Sequence, residues 1–176
     1  KEVFELAKSV GKKALVYQNR RFDSGYNAVK NIIDSGRLGK LIEVHFRYDR
    51  FRNTIGPKSF KEEIVEATGL QYDLGPHLLD QAISLFGKPE KYHKILGKNR
   101  AHTKVDDYLA IQLSYPNDLY VFLTASMLVA DIKEAFIING VKGSFSKNHA
   151  DVQEAQLLNG MKPTATNYGI EGPKDA

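Results

Sequence analysis

The chain has 176 residues, 42% of them hydrophobic, and its 25 lysines and arginines against 21 aspartates and glutamates give a formal net charge of +4. That length carries one good core, or one domain with part of another, and the basic residues are too scattered to form a stripe for nucleic acid. It has no cysteine and no apolar run near the roughly 18 residues of a membrane-spanning helix, which excludes disulfides and thiolate catalysis and fits a soluble protein of a reducing cytoplasm.

Residues 1–11, KEVFELAKSVG, place Val3, Leu6, Ala7 and Val10 at helical spacing with Gly11 at the end. The following KALVYQN, 13–19, reads as a short buried strand. The opening therefore looks like one helix and one strand of an α/β unit whose earlier strands lie upstream. Asp23 is placed to cap a helix with Tyr26, Val29, Ile32 and Ile33 on one face, ended by Ser35-Gly36.

From Leu41 the period changes to two. Ile42, Val44, Phe46 and Tyr48 alternate with Glu43, His45, Arg47 and Asp49, the pattern of a strand covered on one face. A strand is expected within 88–97, a hairpin from 107–115 and 119–127 around Pro116-Asn117-Asp118, and a shorter strand over 135–139. These elements predict an α+β fold, with helices packed on one face of an open, predominantly antiparallel or mixed sheet. The opposite face would carry Tyr108, Gln112, Ser114, Tyr120, Phe122, Thr124 and Ser126. Such a surface is either a subunit interface, where aromatics are enriched, or ordinary exposed side chains.

The segment 68–80, TGLQYDLGPHLLD, leads into a helix with Pro76 in its first turn. Asp73 falls just before that helix and His77 in its first turn. A carboxylate there can orient an imidazole that handles a proton, or it can simply cap the helix. Asp80 reads as structural. A metal site built on His77 and Asp80 with His93 or His102 lacks a defined third ligand, and none is expected. Neither a nucleophile elbow nor a glycine-rich phosphate loop occurs.

The order of 16–24 (VYQNRRFDS), 34–44 (DSGRLGKLIEV) and 68–90 (TGLQYDLGPHLLDQAISLFGKPE) resembles the Gfo/Idh/MocA family of nicotinamide-dependent oxidoreductases. The last segment is similar to that family's G-G-x-x-x-D-x-G-x-H-x-x-D signature. The tail, 151–172, is similar to that of a narrower group including NADP-dependent scyllo-inositol dehydrogenase. The resemblance implies a Rossmann domain binding NAD or NADP, followed by a dihydrodipicolinate-reductase-like α/β domain whose open sheet binds substrate and joins subunits into a homo-oligomer.

On that basis residues 1–20 would close the Rossmann domain, and 21–176 would be the second domain, incomplete at its C-terminus. The family's aspartate and histidine carry over to Asp73 and His77. They assist a lysine from an upstream E-K-P motif, for which Lys88-Pro89 and Lys162-Pro163 are no substitute. Asn19 corresponds to a position facing the nicotinamide, and its plainer role is backbone capping. Thr68 replaces the first signature glycine. The implied reaction is hydride transfer on a sugar, polyol or inositol, with this stretch inactive alone; a non-catalytic binding or assembly module is the alternative.

Overall fold

The computed structural model describes residues 2–56 and 59–172. Lys1 and residues 173–176, the outer ends of the two segments inferred above, lie outside the described residues. Six strands form one open mixed sheet: β1 (Leu41–Asp49), β2 (Lys91–Gly97), β3 (Tyr108–Tyr115), β4 (Leu119–Ser126), β5 (Phe136–Gly140) and β6 (Gly143–Lys147), in the order β2-β3-β4-β1-β5-β6. β1 and β4 are parallel and the other neighbours antiparallel. This is the expected α+β architecture.

The alternation in β1 is realised from Val44 onward, with Val44, Phe46 and Tyr48 buried, whereas Ile42, at an irregularity in the pairing with β5, is exposed. Their side of the sheet continues through Val121, Leu123 and Ala125 of β4, Leu109, Ile111 and Leu113 of β3, and Phe136 and Ile138 of β5. Two helices cover it: α2 (Ser24–Asp34) through Tyr26 and Val29, and α4 (Gly75–Phe86) through Leu78 and Ala82. The Tyr26 hydroxyl donates to the Gln81 carbonyl at 3.0 Å, satisfying its polar end while the ring packs. Every fully buried member of this core lies between Tyr26 and Ile138, so it is assembled within the described chain. The β3–β4 turn uses Asn117 and Asp118 at φ 62° and 59°, a conformation these short polar residues tolerate.

Three local expectations are revised. Helix α1 (Glu2–Ser9) forms and is closed by Gly11 at φ 64°, with Lys12 N–H donating to Ala7 O at 2.8 Å, yet it buries no residue. The strand expected over 13–19 is absent: Leu15, Val16 and Tyr17 are exposed, and Asn19 opens a short 3-10 turn, Asn19–Phe22. A strand needs a neighbour to take its backbone groups, and none of the six lies alongside. Asp23 does precede α2, but its carboxylate accepts from Arg20 at 3.3 Å rather than from the helix N-terminus. In addition, β6 pairs with β5 although its sequence, GSFSK, has only Phe145 as an apolar signal.

Candidate functional site

The short helix α3 (Leu70–Asp73) runs almost directly into α4, separated by Leu74. Gly69 precedes α3 at φ 89°, and a Cβ there would stand 2.2 Å from Asp106 Oδ1. Asp106 needs that closeness. Its carboxylate accepts the Gln71 N–H at 2.6 Å and its carbonyl accepts the Leu70 N–H at 2.9 Å, so the start of α3 is capped from the segment entering β3. The second signature glycine is thus required sterically and conformationally. Thr68 takes the first glycine's place by holding its hydroxyl 2.7 Å from Glu63 O and 2.8 Å from Val65 O, inside its own loop.

This junction brings Asp73 and His77 to the wall of one cleft of about 430 Å³, which they share with Tyr48, Arg50, Arg52 and Lys61. The cleft lies past the C-terminal end of β1. There the chain stays fixed to the segment after β4: Arg50 N–H donates to Ser126 O at 2.9 Å and Arg52 N–H to Met127 O at 2.7 Å. Arg50 and Arg52 therefore extend the inward row of Val44, Phe46 and Tyr48 beyond the core and into the cleft.

Burial, and secondarily Arg20, lower the His77 pKa below its ordinary value, with Asp73 and Asp80 opposing. The imidazole is consequently neutral at pH 7 and able to take a proton. Its buried Nδ1 has no hydrogen-bond partner among the described residues. Asp73 does not orient the ring here; Lys61 Nζ stands 2.5 Å from its Oδ1 instead. Burial, followed by the nearby Asp23, pushes the Tyr48 hydroxyl up to about 12, which keeps it a neutral phenol. Asp80 is structural as expected, receiving Arg21 through both oxygens at 2.9 and 2.5 Å.

A second polar network stiffens the cleft's rear wall. Asp107 accepts from the Asn99 and Arg100 N–H groups, each at 2.8 Å, and from Arg100 Nε at 3.1 Å. Arg100 reaches onward to Glu62 at 2.8 Å, beside Lys61.

Asn19 is exposed and lines a separate groove with Tyr17, Phe22 and Tyr168, although its neighbour Arg20 borders both spaces. Among the described residues no group of three His, Cys, Asp or Glu side chains could hold a metal ion. The helix starts beside the cleft do not suit a dinucleotide's pyrophosphate, since Asp106 fills that of α3 and α4 continues from α3. The residues present fit a small ligand and not the body of NAD(P).

Sequence reasoning missed Lys61, Arg50 and Arg52. Lys61 lies in a single 3-10 turn, Ser59–Glu62, too short to show a period. The two arginines were detectable, because the period-two row of β1 continues through positions 50 and 52 with charge in place of apolar side chains.

Comparison with known proteins places the fold in a family. Residues 26–146 match the GFO/IDH/MocA C-terminal domain. An uncharacterised oxidoreductase of Schizosaccharomyces pombe is 38% identical over 178 residues, covering 97% of this chain and 48% of its own length. The scyllo-inositol 2-dehydrogenase (NADP(+)) of Bacillus subtilis is 31% identical, over 90% of this chain and 44% of its own. The crystal structure of an oxidoreductase from Bacillus cereus superposes with a TM-score of 0.79 at 36% identity, covering 99% of this chain and 49% of that one. The chain thus spans about half the length of the curated relatives it matches. With the fold, the Gly69-to-Asp80 signature and these matches in agreement, the chain belongs to the GFO/IDH/MocA oxidoreductase family and carries that family's C-terminal domain.

Proposed function

We propose that the chain is the substrate-binding and oligomerisation part of an NAD- or NADP-dependent dehydrogenase acting on a hydroxylated small molecule of the sugar, polyol or inositol class. The convergence of His77 and Asp73 on one cleft carries this reading. In support, the B. subtilis relative bears the name of an NADP-dependent inositol dehydrogenase. NAD(P), held by a domain upstream of this chain, would supply the hydride acceptor.

The chain's own residues would bind the substrate, place its carbinol against the imidazole and move the hydroxyl proton. His77, neutral at pH 7, hydrogen-bonds that hydroxyl or passes its proton on. Asp73, charge-paired with Lys61, holds neighbouring hydroxyls. Tyr48 closes the floor with a phenol that does not ionise near neutrality. Alone, the chain should bind no dinucleotide tightly. The open sheet face would join copies of the protein.

The test is a dehydrogenase assay of the natural full-length protein with NAD⁺ and NADP⁺ against sugars and polyols. His77→Ala is expected to lower kcat by about 10²-fold or more while leaving dinucleotide affinity nearly unchanged. Wild-type turnover in that variant would remove His77 from the reaction.

A further inference from the structure

The cations around the cleft are not all accounted for by the protein. Arg20 reaches Asp23 at 3.3 Å and Asp151 at 3.6 Å; Lys61 is paired with Asp73; Arg100 is shared by Glu62 and Asp107. Arg50 and Arg52 have no ion pair and no side-chain hydrogen bond among the described residues, although both line the cleft. They stand two residues apart on a backbone pinned to Ser126 and Met127, so the two side chains leave the same stretch of chain toward the cleft. Burial and then Arg52 lower the Arg50 pKa from its ordinary value, with Asp73 opposing and Arg20 adding to the lowering.

We propose that Arg50 and Arg52 bind an oxyanion of the substrate, so that the enzyme acts on a sugar acid or sugar phosphate in preference to a neutral polyol. The inference rests on the proposed function for the identity of the cleft and refines the substrate class. Two guanidinium groups are suited to the paired oxygens of a carboxylate or phosphate, and a neutral polyol would leave the half-buried Arg50 and the exposed Arg52 without an ion-pair partner. A cleft of this size accommodates a molecule with one anionic end at Arg50 and Arg52 and its hydroxyls at Asp73 and His77.

The anion site can be tested without any turnover. In the 176-residue chain, whose core is self-contained, the arginine Nε–H and His77 ring signals would be followed by NMR during titration with D-gluconate, D-glucose 6-phosphate, inorganic phosphate and myo-inositol. At least one sugar anion is expected to shift the Arg50, Arg52 and His77 signals, and myo-inositol to bind about tenfold or more weakly. Arg50→Gln combined with Arg52→Gln should abolish the preference, whereas Arg37→Gln on the exposed surface should retain it.

Which sugar anion binds distinguishes carboxylate from phosphate. Equal binding of myo-inositol, binding of inorganic phosphate alone, no response to any anion, or full anion binding by the double variant would overturn the proposal. In the full-length enzyme the double variant should raise KM for the anionic substrate by about 10- to 100-fold with a smaller change in kcat. Anion binding without dehydrogenase activity in that enzyme would sink the proposed function while leaving the site standing. Activity on neutral polyols unaffected by the double variant would do the reverse.

Discussion

Gly69 is the residue on which the placement of Asp73 and His77 turns. Its φ of 89° is disfavoured for any L side chain, and a methyl group would displace the carboxylate that caps α3. Gly69→Ala should therefore destabilise the fold by about 2 kcal/mol or more, combining backbone strain with a lost cap. Urea denaturation would measure the loss, and a variant within experimental error of wild type would show that Asp106 can relax at no cost. Asp23 makes a different demand. Burial raises its carboxyl from an ordinary 3.8 to about 6, with Arg20 opposing. Between those values the folded state holds a proton that the unfolded chain has released. Stability at this residue is therefore greatest at low pH and declines as pH rises to about 6, by up to about 3 kcal/mol. Asp23→Asn should match wild type near about pH 4 and exceed it near about pH 7, as read from denaturation midpoints at the two values. The signature Asp73 and His77 were visible as letters in the sequence. Lys61's hold on Asp73 was not, because each sits in a helical segment of only four residues, too short to show a period.

Among the elements, the legible ones are those whose burial is one-sided and regular. Strand β1 and the β3–β4 hairpin declared themselves by alternation, and α4 by its apolar face ahead of Gly87. Residues 13–19 have an equally apolar sequence but no strand to pair with among the described residues, and they form none there. Strand β6 is the converse, a weak sequence recruited by the edge of β5. Nor did any pattern show that Asp107, the last residue before β3, would meet Arg100 near the start of the same β2–β3 connection. Their side chains are 0% and 4% exposed, and the pair ties the β2–β3 connection to the cleft. Asp107→Ala leaves a buried guanidinium without one of its two carboxylate partners and two backbone N–H groups unsatisfied. It should cost about 3–5 kcal/mol. Replacing Arg100 and Asp107 together by apolar residues of similar volume should cost less than Asp107→Ala alone, and thermal unfolding of the two variants decides this.

At the scale of the whole molecule, the sheet has one face under helices and one without cover. Across the uncovered face the register aligns His93, Gln112, Phe122, His45 and Ile137 in a row over five strands. His45 and Phe122 stack there with ring centroids 4.9 Å apart. Beside them Tyr120 is exposed, and His45 and Asn139 both reach Glu43, at 2.9 and 3.4 Å. An array of aromatic and amide side chains, with Glu43 held by His45 and Asn139, suits a second copy of the same surface, since two-fold symmetry opposes like rows. The self-association we propose should therefore depend on Phe122. Phe122→Glu adds a charge at the centre of the row, where two copies would bring four carboxylates together once Glu43 is counted. In the single chain the substituted side chain remains on a solvent-facing strand and can pair with His45, so folding should survive. Light scattering is expected to show the unmodified chain as an oligomer and the variant as a monomer, with the same cooperative melt. An unmodified chain that stays monomeric at high concentration would remove this face from assembly. A variant that remains oligomeric would move the interface elsewhere, with the exposed β2 edge as the next surface to substitute.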